Sequence, residues 1–190
     1  MIIEGIVTSV DSAGCLNIAP MGPVVEGDFE RLLLRPFQPS TTFSNLQATR
    51  CGVFHVVDSV DVIARAAIGR LDVMPPTEPA EQIPGAVLKD CCRWFEFQVE
   101  SVDASQPRSL MPSRILCSGE RRPFRGFNRA RHAIIEAAIM ATRIHLLPAS
   151  EIQQSLEWLR SAVEKTGDQP EQELFEMLCR YALNQDGRSV

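Results

Sequence analysis

The sequence predicts an α+β fold, an antiparallel barrel with helices at one end. Residues 1 to about 120 carry short strand-like segments punctuated by turn residues. From Pro123 onward the apolar residues recur at three- and four-residue steps instead. The chain has 190 residues, 45% of them hydrophobic, which suits one domain or a domain with a helical appendage. The expected division is a barrel domain over 1–122 and a helical region over 123–190 packed on it.

Taken in order, residues 2–10 are β-rich and Asp11-Ser12-Ala13-Gly14 is a turn signal. Residues 15–20 return as a second strand, with Pro20 and Pro23 limiting its pairing. Residues 29–35 form a third candidate strand, and 38–45 read as a polar, Pro-bounded loop. Residues 51–57 form a short buried strand stopped by Asp58. A helix follows over 59–71, with Val60, Ile63, Ala64, Ala67 and Ile68 on one face and Asp58 or Ser59 as its cap. Pro75, Pro76, Pro79 and Pro84 make 72–84 an irregular excursion: a lid, an interface arm or a plain surface loop.

From Phe95 the segment 94–102 alternates apolar and polar, as a half-buried strand does. Residues 113–118 are its expected partner after a polar turn at 105–108. A helix over 128–145 places Ala130, Ala133, Ile134, Ala137, Ala138, Ala141 and Ile144 at helical spacing. So many alanines permit close packing, against the sheet or against a second subunit. Pro148 ends it, and Ser150 opens another helix with Ile152, Leu156, Leu159 and Val163 inward. Gly167-Asp168-Gln169-Pro170 breaks that one. A last helix over 171–183 turns Leu174, Met177, Leu178 and Tyr181 inward.

Composition narrows the function classes. The net charge is −5 and the pI about 5.3, without a long basic run, so no nucleic-acid partner is expected. The densest basic stretch, 121–131, reads as a solvated loop and helix start. No apolar run reaches the ~20 residues of a membrane span. Residues 1–5 lack the pattern of a secretory signal, so a cytoplasmic location is the default expectation. Six cysteines occur without a C-x-x-C pair and read as small apolar residues. His55, His132 and His145 show no ligand spacing, and no metal site is expected. His55 lies in an apolar strand and reads as a hydrogen-bonded structural residue rather than a general base. No Ser-His-Asp order, P-loop or G-x-G-x-x-G is present.

Three segments carry candidate chemistry. Ala19-Pro20-Met21-Gly22 ends a strand, either as an ordinary tight turn or as backbone close enough to touch a flat ring. Ser40, Thr41, Thr42 and Asn45 are either turn and helix caps or donors aimed at a phosphate. Gly126-Phe127-Asn128-Arg129 is a helix start capped by Asn128. The same free N–H groups, with the charge of Arg129, would also receive an anion.

These segments, in order, are Asn17-Ile18-Ala19-Pro20-Met21-Gly22, Ser40-Thr41-Thr42-Phe43-Ser44-Asn45-Leu46, Gly126-Phe127-Asn128-Arg129-Ala130 and Ala141-Thr142-Arg143. The ordered set resembles the flavin-reductase-like FMN-binding split barrels, and within them an uncharacterised family, a domain of unknown function. The resemblance implies an antiparallel Greek-key split β-barrel with a helical C-terminal part, FMN as cofactor, and a homodimer holding it between subunits. It places Ala19, Pro20, Met21 and Gly22 by the flavin ring. Ser40, Thr41, Thr42 and Asn45 fall at its phosphate, with Asn128 and Arg129 as further candidates. Many relatives carry a basic residue at the position of Ser40, and Arg35 or Arg129 would have to replace that charge. The implied activity is a flavin-dependent oxidoreductase, with NAD(P)H or a small molecule as reaction partner. The alternative is a non-catalytic flavin-binding or structural dimeric module.

Overall fold

A computed structural model describes residues 1–183 of the chain. They form nine strands and five helices in two compact units. The first unit takes Met1–Asp58 and Met74–Phe124; the second takes Ser59–Val73 and the chain from Arg125 onward.

The first unit is an antiparallel seven-stranded sheet. Its strands are β1 (Gly5–Val10), β2 (Leu16–Met21), β3 (Val24–Glu26), β4 (Arg31–Leu34), β5 (Cys51–Val56), β8 (Arg93–Val99) and β9 (Met111–Glu120), in the order β2-β1-β5-β8-β9-β4-β3. The β1–β2 hairpin runs in register from Gly5 opposite Met21 to Val10 opposite Leu16. Asp11 fixes its turn, accepting from the amides of Ala13 and Cys15 at 2.9 and 2.8 Å, and Gly14 supplies a φ of 83°. Gly22 and Pro23 alone join β2 to β3, yet those strands lie at opposite edges of the sheet. The sheet therefore curls until its edges approach. The seam is tied by a bridge from Ile2 to Val24 and by paired bonds between Met1 and Val25.

Curling encloses Val7, Leu32, Leu34, Leu46, Phe54, Phe95, Phe97 and Met111, all essentially inaccessible to water. The opposite face of β1, β5 and β8 is covered by a second hairpin, β6 (Thr77–Pro79) paired with β7 (Ala86–Leu88). The segment expected to be wholly irregular therefore contains a strand: Pro79 closes β6, and all three of its residues pair with β7.

Other expectations are corrected. The strand expected over 29–35 is β4, which begins at Arg31 rather than Phe29, because Phe29 turns the chain with φ 60° and stacks on Phe95 at 4.2 Å. The polar loop at 38–45 is cut short by a helix, α1 (Thr41–Thr49), capped by Ser40. Its apolar signal is only Phe43 and Leu46, too little for a periodicity to stand out. Strand β9 is longer than the expected 113–118. The alternation of β8 misleads at Glu96, which is fully buried beneath the β6–β7 hairpin, while Gln98 is exposed as expected.

The second unit is four helices: α2 (Asp61–Ala67), α3 (Arg129–Ala141), α4 (Ala149–Thr166) and α5 (Gln169–Leu183). The predicted α3 face is buried throughout. Its alanines pack against α2, α4 and α5. On α5 the inward positions are Leu174, Phe175, Leu178, Cys179 and Ala182, with Met177 and Tyr181 only partly covered. None of the helices is long and apolar enough, among the described residues, to cross a membrane.

Candidate functional site

Strand β2 has a neighbour on one side only, and the start of α1 is bonded to it. Asn17 stands on β2 opposite Ser9 of β1. Its Nδ2 donates to Thr42 Oγ1 at 3.0 Å and lies 3.4 Å from Ser9 Oγ. Asn45 Nδ2 donates to the same Ser9 oxygen at 3.2 Å. Ser9, Thr42 and Asn45 are buried, so each needs such a partner. The Thr-x-x-Asn spacing puts both side chains on the inner face of α1, one turn apart. The network thus fixes where the helix begins.

The Ser40 hydroxyl is occupied as well. It accepts from the Phe43 amide at 3.1 Å and donates to the Phe37 carbonyl at 2.7 Å. What this helix start leaves open is backbone: the amides of Thr41 and Thr42 have no acceptor within the helix. Together with the helix dipole they suit an anion.

Asn17 and Met21 are four residues apart along β2, roughly 13 Å at the rise of a strand. Ala19, Pro20, Met21 and Gly22 are half-buried, and Met21 leans on the barrel core. A Cβ on Gly22 would lie 2.6 Å from Glu4 Oε1 and 2.8 Å from Ile2 Cγ2. The chain's own N-terminal side chains make the close approach at this glycine. Strand β2 extends through Met21, and Gly22-Pro23 leads directly into β3.

Arg35 follows β4 directly. Its Nε is the one buried side-chain nitrogen or oxygen without a hydrogen-bond partner among the described residues. Arg31 pairs with Glu100, Arg121 with Glu78, and Arg122 holds Asp58 by two bonds of 2.6 and 2.7 Å. Much of the basic stretch at 121–131 is thereby neutralised by carboxylates, with Arg131 on Glu171.

Asn128 and Arg129 belong to the helical unit. Asn128 caps α3, accepting from the Arg131 amide at 3.0 Å and donating to the Thr166 carbonyl at 2.9 Å. Thr166 Oγ1 takes the Ala130 amide at 3.0 Å. The amides at this helix start are largely spent on the protein's own oxygens, and Arg129 is an exposed side chain.

His55 is a structural residue, as expected. The Leu88 amide donates to its Nε2 at 3.1 Å, so Nδ1 carries the proton and donates to the Ile6 carbonyl at 3.2 Å. Burial pushes its pKa down to about 4, and both nitrogens are engaged. Glu96 works on the same face, its two oxygens accepting from the amides of Glu81 and Gln82 at 2.7 and 2.8 Å. Sequence reasoning passed over Ser9 and Glu96. A polar Thr8-Ser9 pair inside an apolar strand was the available sign for the first; nothing marked the second.

The Arg35 Nε without a partner and, separately, the helix start at Thr41 each suit a phosphate or carboxylate group. Comparison with known proteins bears on which. The family described as protein of unknown function (DUF447) matches through the model of its N-terminal domain over residues 3–121 and through a second model over 128–180. No curated protein matches the chain. Among solved structures, an FMN-bound protein of the same family from Methanosarcina mazei superposes with a TM-score of 0.81 at 22% identity, covering 95% of this chain and 94% of that one. Flavoredoxin from Methanosarcina acetivorans gives 0.55 at 10% identity over 63% and 69% of the two chains. A Streptomyces globisporus NADH:FAD oxidoreductase gives 0.53 at 9% identity over 62% and 70%. The fold is that of the split-barrel flavoproteins.

Proposed function

The chain belongs to the DUF447 family, and from that membership we propose that it is an FMN-binding flavoprotein that transfers hydride or electrons. The observation that carries this reading is the start of α1. A Ser9–Asn17–Thr42–Asn45 network fixes a helix start beside an edge strand, and the first amides of that helix have no acceptor within it, on a fold shared over 95% of the chain with an FMN-bound family member.

In this reading the flavin phosphate is received by the amides of Thr41 and Thr42. The ring lies along β2 toward Ala19, Pro20 and Met21, where half-buried apolar side chains shield it from water. Bound FMN supplies the redox chemistry itself, and the protein supplies orientation and electrostatics. No side chain of the chain has to act as acid or base. His55 is held neutral and doubly bonded, which keeps it out of any proton transfer. The electron donor is NAD(P)H or a small reduced molecule, a reading supported by the NADH-dependent relative of similar fold. The protein acts as a homodimer, which light scattering after size exclusion tests by mass.

The deciding experiment is an absorbance spectrum of purified protein, before and after FMN addition and desalting. Retained bands near ~370 and ~450 nm are expected of a flavin site. A colourless protein under both conditions defeats the proposal. Bleaching of bound flavin by NAD(P)H separates an oxidoreductase from a flavin carrier.

A further inference from the structure

We infer that Arg93 anchors a small organic anion at the end of the barrel, one that carries its carboxylate on an aromatic frame. Such a site needs no bound flavin. Arg93 opens β8, and its guanidinium carbon lies 5.0 Å from the ring centre of Phe29 and 4.9 Å from that of Phe95. The two rings stack on each other at 4.2 Å, within 6° of parallel. Ring contacts hold a guanidinium in place and leave its planar fork of N–H donors free.

What sets Arg93 apart is the lack of a carboxylate. Arg65, Arg122, Arg131 and Arg160 are likewise half-buried, and each holds an aspartate or a glutamate. Arg93 makes no hydrogen bond or ion pair with any described residue. Glu120 stands opposite it across the β8–β9 ladder, where cross-strand ion pairs ordinarily form, yet Glu120 is exposed and that pair is not made. None of the Arg93 nitrogens is sealed from water, for among the described residues Arg35 Nε alone is buried without a partner. An incoming carboxylate can therefore take two parallel bonds from the fork.

The neighbours of Arg93 choose the rest of the ligand. Met21 stands opposite Gly5, and Val56 opposite Arg93, with the Ile6–His55 pair fixing β1 against β5. Met21, Gly5, Val56 and Arg93 thus fall on one row across β2, β1, β5 and β8. Met21, Phe29 and Val56 are half-buried and pack on the barrel core, so the cation is bordered by apolar surface that water still reaches. A ligand that covers this surface with a ring while meeting Arg93 with a carboxylate gains from both ends. The aromatic pair is also held in place at a cost. Phe29 keeps φ at 60°, a left-handed conformation uncommon for an aromatic residue, and such strain gathers at ligand sites.

The test compares phenylacetate with phenylacetamide, which has the same frame without the charge, and with acetate, which has the charge without the ring. Dissociation constants come from amide shifts in NMR titrations of the unaltered protein, Arg93→Gln and Arg93→Lys. Phenylacetate is expected to bind at least ~10-fold more tightly than either of the others and to shift the Arg93 Nε–H resonance saturably. Arg93→Gln removes the preference over phenylacetamide and leaves phenylacetamide affinity unchanged, and Arg93→Lys keeps part of the preference. Equal binding of phenylacetate and phenylacetamide, survival of the preference in Arg93→Gln, or no saturable shift with any of the three overturns the inference. Acetate binding as tightly as phenylacetate overturns the aromatic frame. Circular dichroism establishes that each variant is folded, and the three ligands on the unaltered protein decide the matter if Arg93→Gln is not.

Discussion

The Leu88 amide donates to Nε2 of His55 across 3.1 Å, binding the β6–β7 hairpin to the centre of the sheet. The bond requires neutral imidazole, and burial holds the His55 pKa down to about 4 from an ordinary 6.5. A depressed value means the native state binds the proton less readily than the unfolded chain. The contribution to stability is therefore complete above about 6.5 and is lost as pH falls toward about 4. The loss is roughly 3 kcal/mol. Chemical denaturation between pH 7 and 4 is expected to show this slope, and His55→Gln to flatten it relative to the parent.

Ser40 allows capping and phosphate binding to be separated. Asp caps as well as Ser but cannot donate to the Phe37 carbonyl, so Ser40→Asp should cost no more than the about 1 kcal/mol expected of Ser40→Ala. The added carboxylate faces the amides proposed for the flavin phosphate. FMN affinity is expected to fall at least ~10-fold in Ser40→Asp, about 1.4 kcal/mol. An unchanged dissociation constant in that variant would move the phosphate elsewhere.

Glu96 accepts two backbone amides from a position closed to water. In Glu96→Gln one of those amides faces an NH2 group instead of an oxygen. Leaving a buried donor unmatched costs about 1–3 kcal/mol. Urea unfolding should show that loss, and hydrogen exchange at Glu81 and Gln82 should accelerate.

Gly119 sits opposite Trp94 across β8 and β9. A Cβ there would lie 2.7 Å from the indole, a large ring that is itself mostly buried. Gly119→Ala is expected to destabilise by about 1–3 kcal/mol through overpacking. A shift in the tryptophan emission maximum would report the displaced ring.

Much of the fold was legible because its signals are local. The alanine stripe of α3, the Asp11 turn and the apolar face of α4 each declare themselves within a few turns or residues. Helix α1 was missed because its stability comes from the Ser40 cap and from side-chain bonds to β1 and β2, not from an apolar stripe. Glu96 was misplaced because alternation reports which face a residue takes, and here a hairpin covers the face that ordinarily meets water. The hydroxyl loop was found by its residue types. That the Thr42 hydroxyl would be engaged by Asn17 depends on a partner 25 residues away in sequence.

The two-residue link between β2 and β3 bears on how the molecule assembles. Strands adjacent along the chain end up at opposite edges of the sheet, so their proximity in sequence cannot help them pair. The seam at Val24 meets its geometry only after Ile6 has found His55 and Leu32 has found Ser113. Such long-range pairings carry the entropy of closing long loops and fold slowly. Closure of the barrel is thus a late event on the folding route, and the hairpins that can form early, β1–β2 and β3–β4, must wait apart with unpaired edges until β5, β8 and β9 arrive between them.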